Sequence, residues 1–229
     1  MPSITDLRLS EREGTFFLRD ATSSFANAIR VAMSRDVPTP AVTRVVIRKN
    51  TSFFPCEWIA HRIGMIPLSS SKHKNILRLT ASGPGRVYSS QIEDQESIVE
   101  KDVLIVRLAE GQELDMDLHV SVDTGSVHAR HNPAVAARFA WVTPGMRGEE
   151  ECMCSEGKSG DEGRATGKCE RCGYAVVPPR MRGQKKVVRF DFETTGTYTA
   201  EQLLSLSISS IHTAISHVND EVRILSYPS

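Results

Sequence analysis

This 229-residue sequence has no excess charge: 28 lysines and arginines are matched by 28 aspartates and glutamates. Without a net positive field there is no global electrostatic means of coating nucleic acid or an anionic membrane, so any such contact must be local. Long apolar runs are missing as well. The opening MPSITDLRLSEREG puts polar and charged residues where a secretory signal needs an apolar core, and no stretch approaches the roughly 18 apolar residues of a membrane span. An intracellular protein is expected. There is no P-loop, no GxSxG nucleophile elbow and no dinucleotide fingerprint, which removes the usual sequence-visible routes to enzymatic activity. No internal repeat or low-complexity tract is evident, and the 40% hydrophobic content is enough for one good core or two modest ones.

What is present begins with an uneven spread of cysteine. Four of the five cysteines lie between residues 152 and 172, a clustering that in a reducing compartment favours metal ligation over disulfides. Cys152-Met-Cys154 and Cys169-Glu-Arg-Cys172 form two thiolate pairs separated by fourteen residues, and two such turns suit one structural, tetrahedral Zn2+. Aliphatic residues are almost absent from Arg147 to Lys186 outside an Ala-Val-Val run, so metal binding would supply the folding free energy that burial cannot. An iron-sulfur cluster and unoccupied thiols are the alternatives. Cys56 stands apart on an apolar helix and reads as an inert buried thiol.

The same region is locally basic. From Arg164 to Arg189 eight basic residues accompany a single acid, Glu170. Such a stretch suits nucleic-acid phosphate or an acidic partner, but Glu149, Glu150, Glu151, Asp161 and Glu162 just before it can neutralise it within one solvated loop. Two further candidates carry little chemistry. Asp115-Met-Asp117 alternates with apolar residues on a strand, which points both carboxylates to solvent rather than at a magnesium ion. His128-Ala-Arg-His131 has neither HExxH spacing nor a nearby Glu.

Hydrophobic periodicity gives the elements. ITDLRL and GTFFLR, joined by SEREG, read as a hairpin. Asp20, Thr22 or Ser23 caps a helix with Phe25, Ala28, Ile29, Ala32 and Met33 on one face, ended by Val37-Pro38. TRVVIRKN is a strand, and Pro55 starts the helix CEWIAHRIGM. Residues 75 to 142 read as β-rich, with DVLIVRL, ELDMDLHVSV and AVAARFAWV as strands and residues 82 to 101 as a long connection turning at Gly83-Pro84-Gly85. VVRFDFET is a further strand, and Thr199 with Gln202 three positions on opens a last helix with a capping box. On that helix Leu204, Ile208, Ile211, Ile215 and Val218 recur every three or four residues, a heptad-like stripe that suits either a core helix or a partner helix.

Residues 25 to 68 closely resemble the signature of the alpha-like RNA polymerase subunits: the archaeal member of that family, the third-largest subunit of eukaryotic polymerase II, and its counterpart shared by polymerases I and III. The likeness rests on the FANAIR helix with Asn27 and Arg30, Val37-Pro38-Thr39, the Asn50-Thr51-Ser52 turn, and Ile59-Ala60-His61-Arg62-Ile63-Gly64 followed by Ile66-Pro67-Leu68. Weaker echoes are VYSSQI, LAEGQELDMDLHV, HARHNPAVAARF and FDFETTGTYTAEQLL. The resemblance implies an α+β chain in which a dimerisation domain, residues 1–40 plus 186–229, is built of antiparallel strands with a long N-terminal and a C-terminal helix. It is interrupted by an inserted, mostly β domain at 41–185, with the Cys-rich metal loop at 147–185.

The function implied is a non-catalytic assembly subunit. It would pair with a separate, small alpha-like subunit through Phe25, Ile29, Met33, Leu204, Ile208, Ile211, Ile215 and Val218, and the heterodimer would dock the second-largest subunit. Its place would be the nucleus, the archaeal cytoplasm, or a virion or virus factory, according to the polymerase. One departure concerns the metal. The eukaryotic polymerase II subunit carries its zinc loop soon after Ile-Pro-Leu, whereas residues 69 to 80 here contain no Cys. The cysteines follow HARHNPAVAARF, nearer to where some archaeal members place a ferredoxin-like insertion, without the ferredoxin spacing. A stand-alone zinc-ribbon module that binds nucleic acid is the competing reading.

Overall fold

The computed structural model describes residues 2–142 and 187–226, with side chains through 223 in the last helix. The cysteines expected to hold metal, Cys152, Cys154, Cys169 and Cys172, lie outside the described residues, as does the basic stretch from Arg164 to Lys186.

The N-terminal hairpin forms as its alternation predicts. Strands β1 (Ser3–Leu9) and β2 (Glu13–Arg19) pair antiparallel, and Ser10 closes the turn by donating its backbone N–H to the Glu13 carbonyl at 2.8 Å. Helix α1 (Ser23–Arg35) follows, and Thr22 caps it by accepting the Phe25 N–H at 3.2 Å. The second lobe then runs through β3 (Thr39–Asn50), α2 (Cys56–Gly64), β4 (Ile76–Ser82), β5 (Gly85–Tyr88), β6 (Leu104–Leu108) and β7 (Glu113–Asp123). The chain returns through β8 (Ala134–Val142) and β9 (Val187–Thr194) to helix α3 (Ala200–Ser226).

The first lobe is a four-stranded antiparallel sheet, ordered β1-β2-β9-β8, with α1 and α3 packed on it. Period-two patterning puts Phe16 and Leu18 of β2 beside Val188, Phe190 and Phe192 of β9 in one cluster with Ala26, Ile29 and Met33 of α1 and Leu203 and Leu204 of α3. Phe16 lies opposite Phe190, their rings stacked with centroids 4.9 Å apart. Each fully buried Phe or Leu side chain contributes about 1.5–3 kcal/mol.

The second lobe is a three-stranded antiparallel sheet, β3-β7-β4, joined by the β5-β6 ribbon and α2 around its own cluster. Leu114, Met116 and Leu118 of β7 face Leu77 and Leu79 of β4 and Ile59 and Ile63 of α2. On the outer face Arg48 pairs with Asp117 (3.1 Å from Nε) and Arg78 with Asp115 (3.2 Å), so both aspartates are half-buried and ion-paired rather than free in solvent.

Two features differ from the sequence reading. Residues 82 to 101 are not a plain connection, because Val87 is buried against Val106 and turns Gly85–Tyr88 into a strand, followed by a 3-10 turn at Ser89–Gln91. Strand β8 falls within the 41–185 range expected for the inserted part, yet it pairs with β9 in the first sheet, where Phe139 stacks on Phe190 at 6.4 Å between centroids. The two lobes meet at several points: an Arg12–Glu100 ion pair, Ser70 N–H donated to the Thr197 carbonyl at 3.3 Å, and the Tyr198 hydroxyl donated to the Pro38 carbonyl. Among the described residues no helix is long and apolar enough to cross a membrane.

Candidate partner interface

The capping box expected at α3 is present: Thr199 N–H donates to Gln202 Oε1 at 3.1 Å and Gln202 N–H to Thr199 Oγ1 at 3.2 Å. It fixes where the helix begins on the first lobe. Ala200, Leu203 and Leu204 are buried on the sheet, and Ser207 is buried with its hydroxyl donated to the Leu203 carbonyl. Ile211 still packs partly on the same cluster. Ile208 before it already faces outward, and after Ile211 the row leaves the lobe. Ile208, Ile215, Val218 and Val222 are 43–59% exposed, on a helix whose 27 residues span about 40 Å.

This divides the expected interface. Ile29 and Met33 of α1 and Leu204 of α3 are at most 6% exposed inside this chain's own core, so they are withdrawn from the partner-facing surface. Phe25 is half-buried against the same core. Leu204 belongs to the stripe by spacing but to the sheet by packing. Ile208, Ile215 and Val218 remain free to be covered, and Val222 extends their row by one more position.

The motif residues do different work. On α1, Asn27 Oδ1 accepts from Arg30 Nε and Nη2 at 3.1 and 3.0 Å, which holds the Arg30 guanidinium along the solvent side of the helix. Asn50 organises the turn into α2: its Oδ1 accepts from Ser52 N–H (3.0 Å) and Oγ (2.7 Å), while its Nδ2 donates to the Phe54 carbonyl (3.0 Å) and Cys56 Sγ (3.3 Å). Cys56 is therefore half-buried and hydrogen-bonded, not sealed in apolar surroundings. Arg62 donates to the Leu104 carbonyl and sits 4.8 Å from the Trp58 ring centroid. A Cβ on Gly64 would lie 3.2 Å from both the Val42 carbonyl oxygen and Arg130 Nη1. That space lets Arg130 Nη1 donate to Val42 at 2.9 Å. His61 is exposed on α2.

Sequence reasoning missed a second exposed surface. The turn held by Asn50 presents Phe53, 88% exposed, and stacks Phe54 on Trp58 with centroids 4.5 Å apart. Together with Arg62 over Trp58 these make an aromatic and cationic patch on the second lobe. The signal available was the Phe53-Phe54 pair in a turn, where no periodicity calls for buried side chains. His128, a weak metal candidate by its spacing, has a structural part instead. It accepts from Arg130 N–H (3.1 Å) and Nε (3.2 Å) through Nδ1. Arg130 holds its pKa below the usual imidazole range, assisted by burial and by His131 and His61. Among the described residues no group of three or more His, Cys, Asp or Glu side chains comes together to hold a metal ion.

Residues 68–141 match the family described as RNA polymerase Rpb3/RpoA insert domain. The DNA-directed RNA polymerase subunit Rpo3 of Natronomonas pharaonis is 25% identical over 241 aligned residues, covering 96% of this chain and 98% of that protein. The subunit of the same name from Methanocaldococcus jannaschii is 36% identical over 132 residues, 54% of this chain and 68% of its own length. That of Pyrococcus horikoshii is 34% identical over 148 residues, 58% of this chain and 57% of its own. With the antiparallel two-lobe fold and the FANAIR and AHRIG segments in place, the chain belongs to the alpha-like subunits of multisubunit DNA-directed RNA polymerase.

Proposed function

We propose that this chain is a non-catalytic assembly subunit of a DNA-dependent RNA polymerase, that α3 pairs it with a smaller alpha-like subunit, and that the heterodimer then docks the second-largest subunit. The observation that carries this reading is the row Ile208, Ile211, Ile215, Val218 and Val222, whose outer members are exposed although they recur at helix-pairing spacing. A contiguous apolar row on one helix marks an interaction surface. A second helix laid along it would bury the row at an interaxial distance of about 8–10 Å.

The patch of Phe53, Phe54, Trp58 and Arg62 is the proposed seat of the second-largest subunit, since aromatic and arginine side chains dominate the energetics of protein interfaces. It lies on the other lobe from the exposed part of α3. Two separate surfaces suit a scaffold that holds two neighbours at once, and no residue is assigned a catalytic role. Cys152, Cys154, Cys169 and Cys172 are proposed to hold one structural Zn2+, since four thiolates close a tetrahedral site. The protein acts inside the cell, with its polymerase.

The test is co-expression with the small alpha-like subunit of the same polymerase. The double substitution Ile208→Asp/Ile215→Asp should abolish co-purification, because both charges would be buried without partners. Far-ultraviolet circular dichroism of the variant should stay like that of the parent, since both positions lie outside the core. Undiminished co-purification would sink the assignment. A stand-alone zinc-ribbon module would instead remain monomeric and bind DNA or RNA with strong salt dependence.

A further inference from the structure

The β5-β6 ribbon has a buried side, where Val87, Ile105, Val106 and Leu108 join the second lobe's core. On its outer side Arg86 stands directly opposite Arg107, and both are exposed. Side chains directly across an antiparallel pair have β-carbons about 5 Å apart, so two like charges there repel and weaken the ribbon. The neighbouring sheet is arranged differently: Arg48, Lys49 and Arg78 each have a carboxylate partner from β7. Neither arginine of the ribbon has an ion pair among the described residues. Asp102 and Glu110, the acids nearest Arg107 along the chain, lie beyond the two ends of β6, and Glu93, the nearest to Arg86, lies past the 3-10 turn; none forms an ion pair with either arginine among the described residues.

The surroundings indicate what would relieve the repulsion. Tyr88 lies two residues along the same strand from Arg86 and raises the arginine's pKa, so the guanidinium stays charged. Tyr88 pairs across the ribbon with Leu104, which is part-exposed and whose carbonyl accepts from Arg62, so a third guanidinium adjoins the same end. Guanidinium forks match carboxylates bidentately. A nucleic-acid backbone needs a longer basic track, because useful affinity comes from neutralising many phosphates.

We propose that the outer face of the β5-β6 ribbon, centred on Arg86 and Arg107, docks an acidic segment of a protein partner, its carboxylates received by the two guanidinium forks. The site is separate from the α3 row, and either assignment can fail without the other.

The experiment measures fluorescence anisotropy of a fluorescein-labelled hexaglutamate peptide with the full-length chain at low salt. Arg86→Gln/Arg107→Gln should weaken binding at least tenfold, while Arg8→Gln/Arg44→Gln, which removes two exposed arginines elsewhere, should leave it unchanged. Equal weakening by both pairs would reduce the effect to general charge and overturn the site. Tighter binding of a thymidine hexanucleotide than of the peptide, lost in the same Arg86 and Arg107 variant, would overturn the choice of a protein partner. Arg107→Glu supplies a readout on folding: it should raise Tm by about 1–3 °C as repulsion becomes attraction, while losing the peptide. A Tm that falls or stays level would remove the repulsion on which the proposal stands.

Discussion

Gly64 closes α2 where the helix meets the backbone of β3, and its missing side chain is the reason Arg130 reaches the Val42 carbonyl. Gly64→Val should cost about 1–3 kcal/mol by overpacking, measured as a lower urea midpoint; an unchanged midpoint would mean that β3 gives way freely. The family motif showed that a glycine stands here but not why, since Arg130 is 66 positions away in sequence and only the fold brings the two together. Tyr198 poses a similar problem. Burial raises its phenol pKa above the ordinary range, and its hydroxyl donates to the Pro38 carbonyl across the junction of the lobes. The folded state therefore holds this proton longer than the unfolded chain does. The resulting stability is fully present below the unfolded phenol pKa, near 10, and is lost as pH rises through the higher folded value. Tyr198→Phe should cost about 0.5–1.5 kcal/mol at neutral pH by removing the hydrogen bond. It should also flatten the alkaline decline of Tm; an unaltered alkaline limb would assign that limb to another group.

At the scale of elements, legibility followed length and alternation. Strands β7, β8 and β9 and the capping box of α3 were readable because four or more positions repeat one pattern or two side chains sit at a fixed offset. Strand β5 was not, because only Val87 of its four residues faces the core. The sheet to which β8 belongs was also hidden, since alternation marks a strand and says nothing of its neighbour. Helix α3 shows the same limit. Its stripe keeps one spacing from Leu204 to Val222, yet the sheet covers the first turns and leaves the later ones exposed. Only the extent of the sheet decides where one role ends. A chain ending at Ala214 keeps Leu203, Leu204 and Ile211 and loses Ile215, Val218 and Val222. It should unfold within about 2 °C of the full chain, because surface residues outside the core move stability little, and should fail to co-purify with the small subunit. Retained pairing would place the interface elsewhere.

For the whole molecule, the described residues form two separate apolar clusters, one in each lobe, with polar contacts such as the Arg12–Glu100 ion pair between them. The place of β8 in the same sheet as β1, β2 and β9 was not legible from the motifs, because it depends on pairing between residues some fifty positions apart. The four cysteines bear on a different energy source, since the Cys-rich segment lacks the aliphatic residues for a core and would depend on a metal for its own folding. Metal removal and lobe unfolding should accordingly be separable events. Cys169→Ser should lower bound zinc from one equivalent per chain toward none, read by elemental analysis of the purified protein. Protease cleavage between residues 150 and 180 should become faster in the same variant. The main thermal transition should stay within about 2 °C of the parent, because both apolar clusters are intact. A full equivalent of zinc in the variant would remove Cys169 from the ligand set, whereas a collapse of the main transition would mean that the metal supports the lobes themselves.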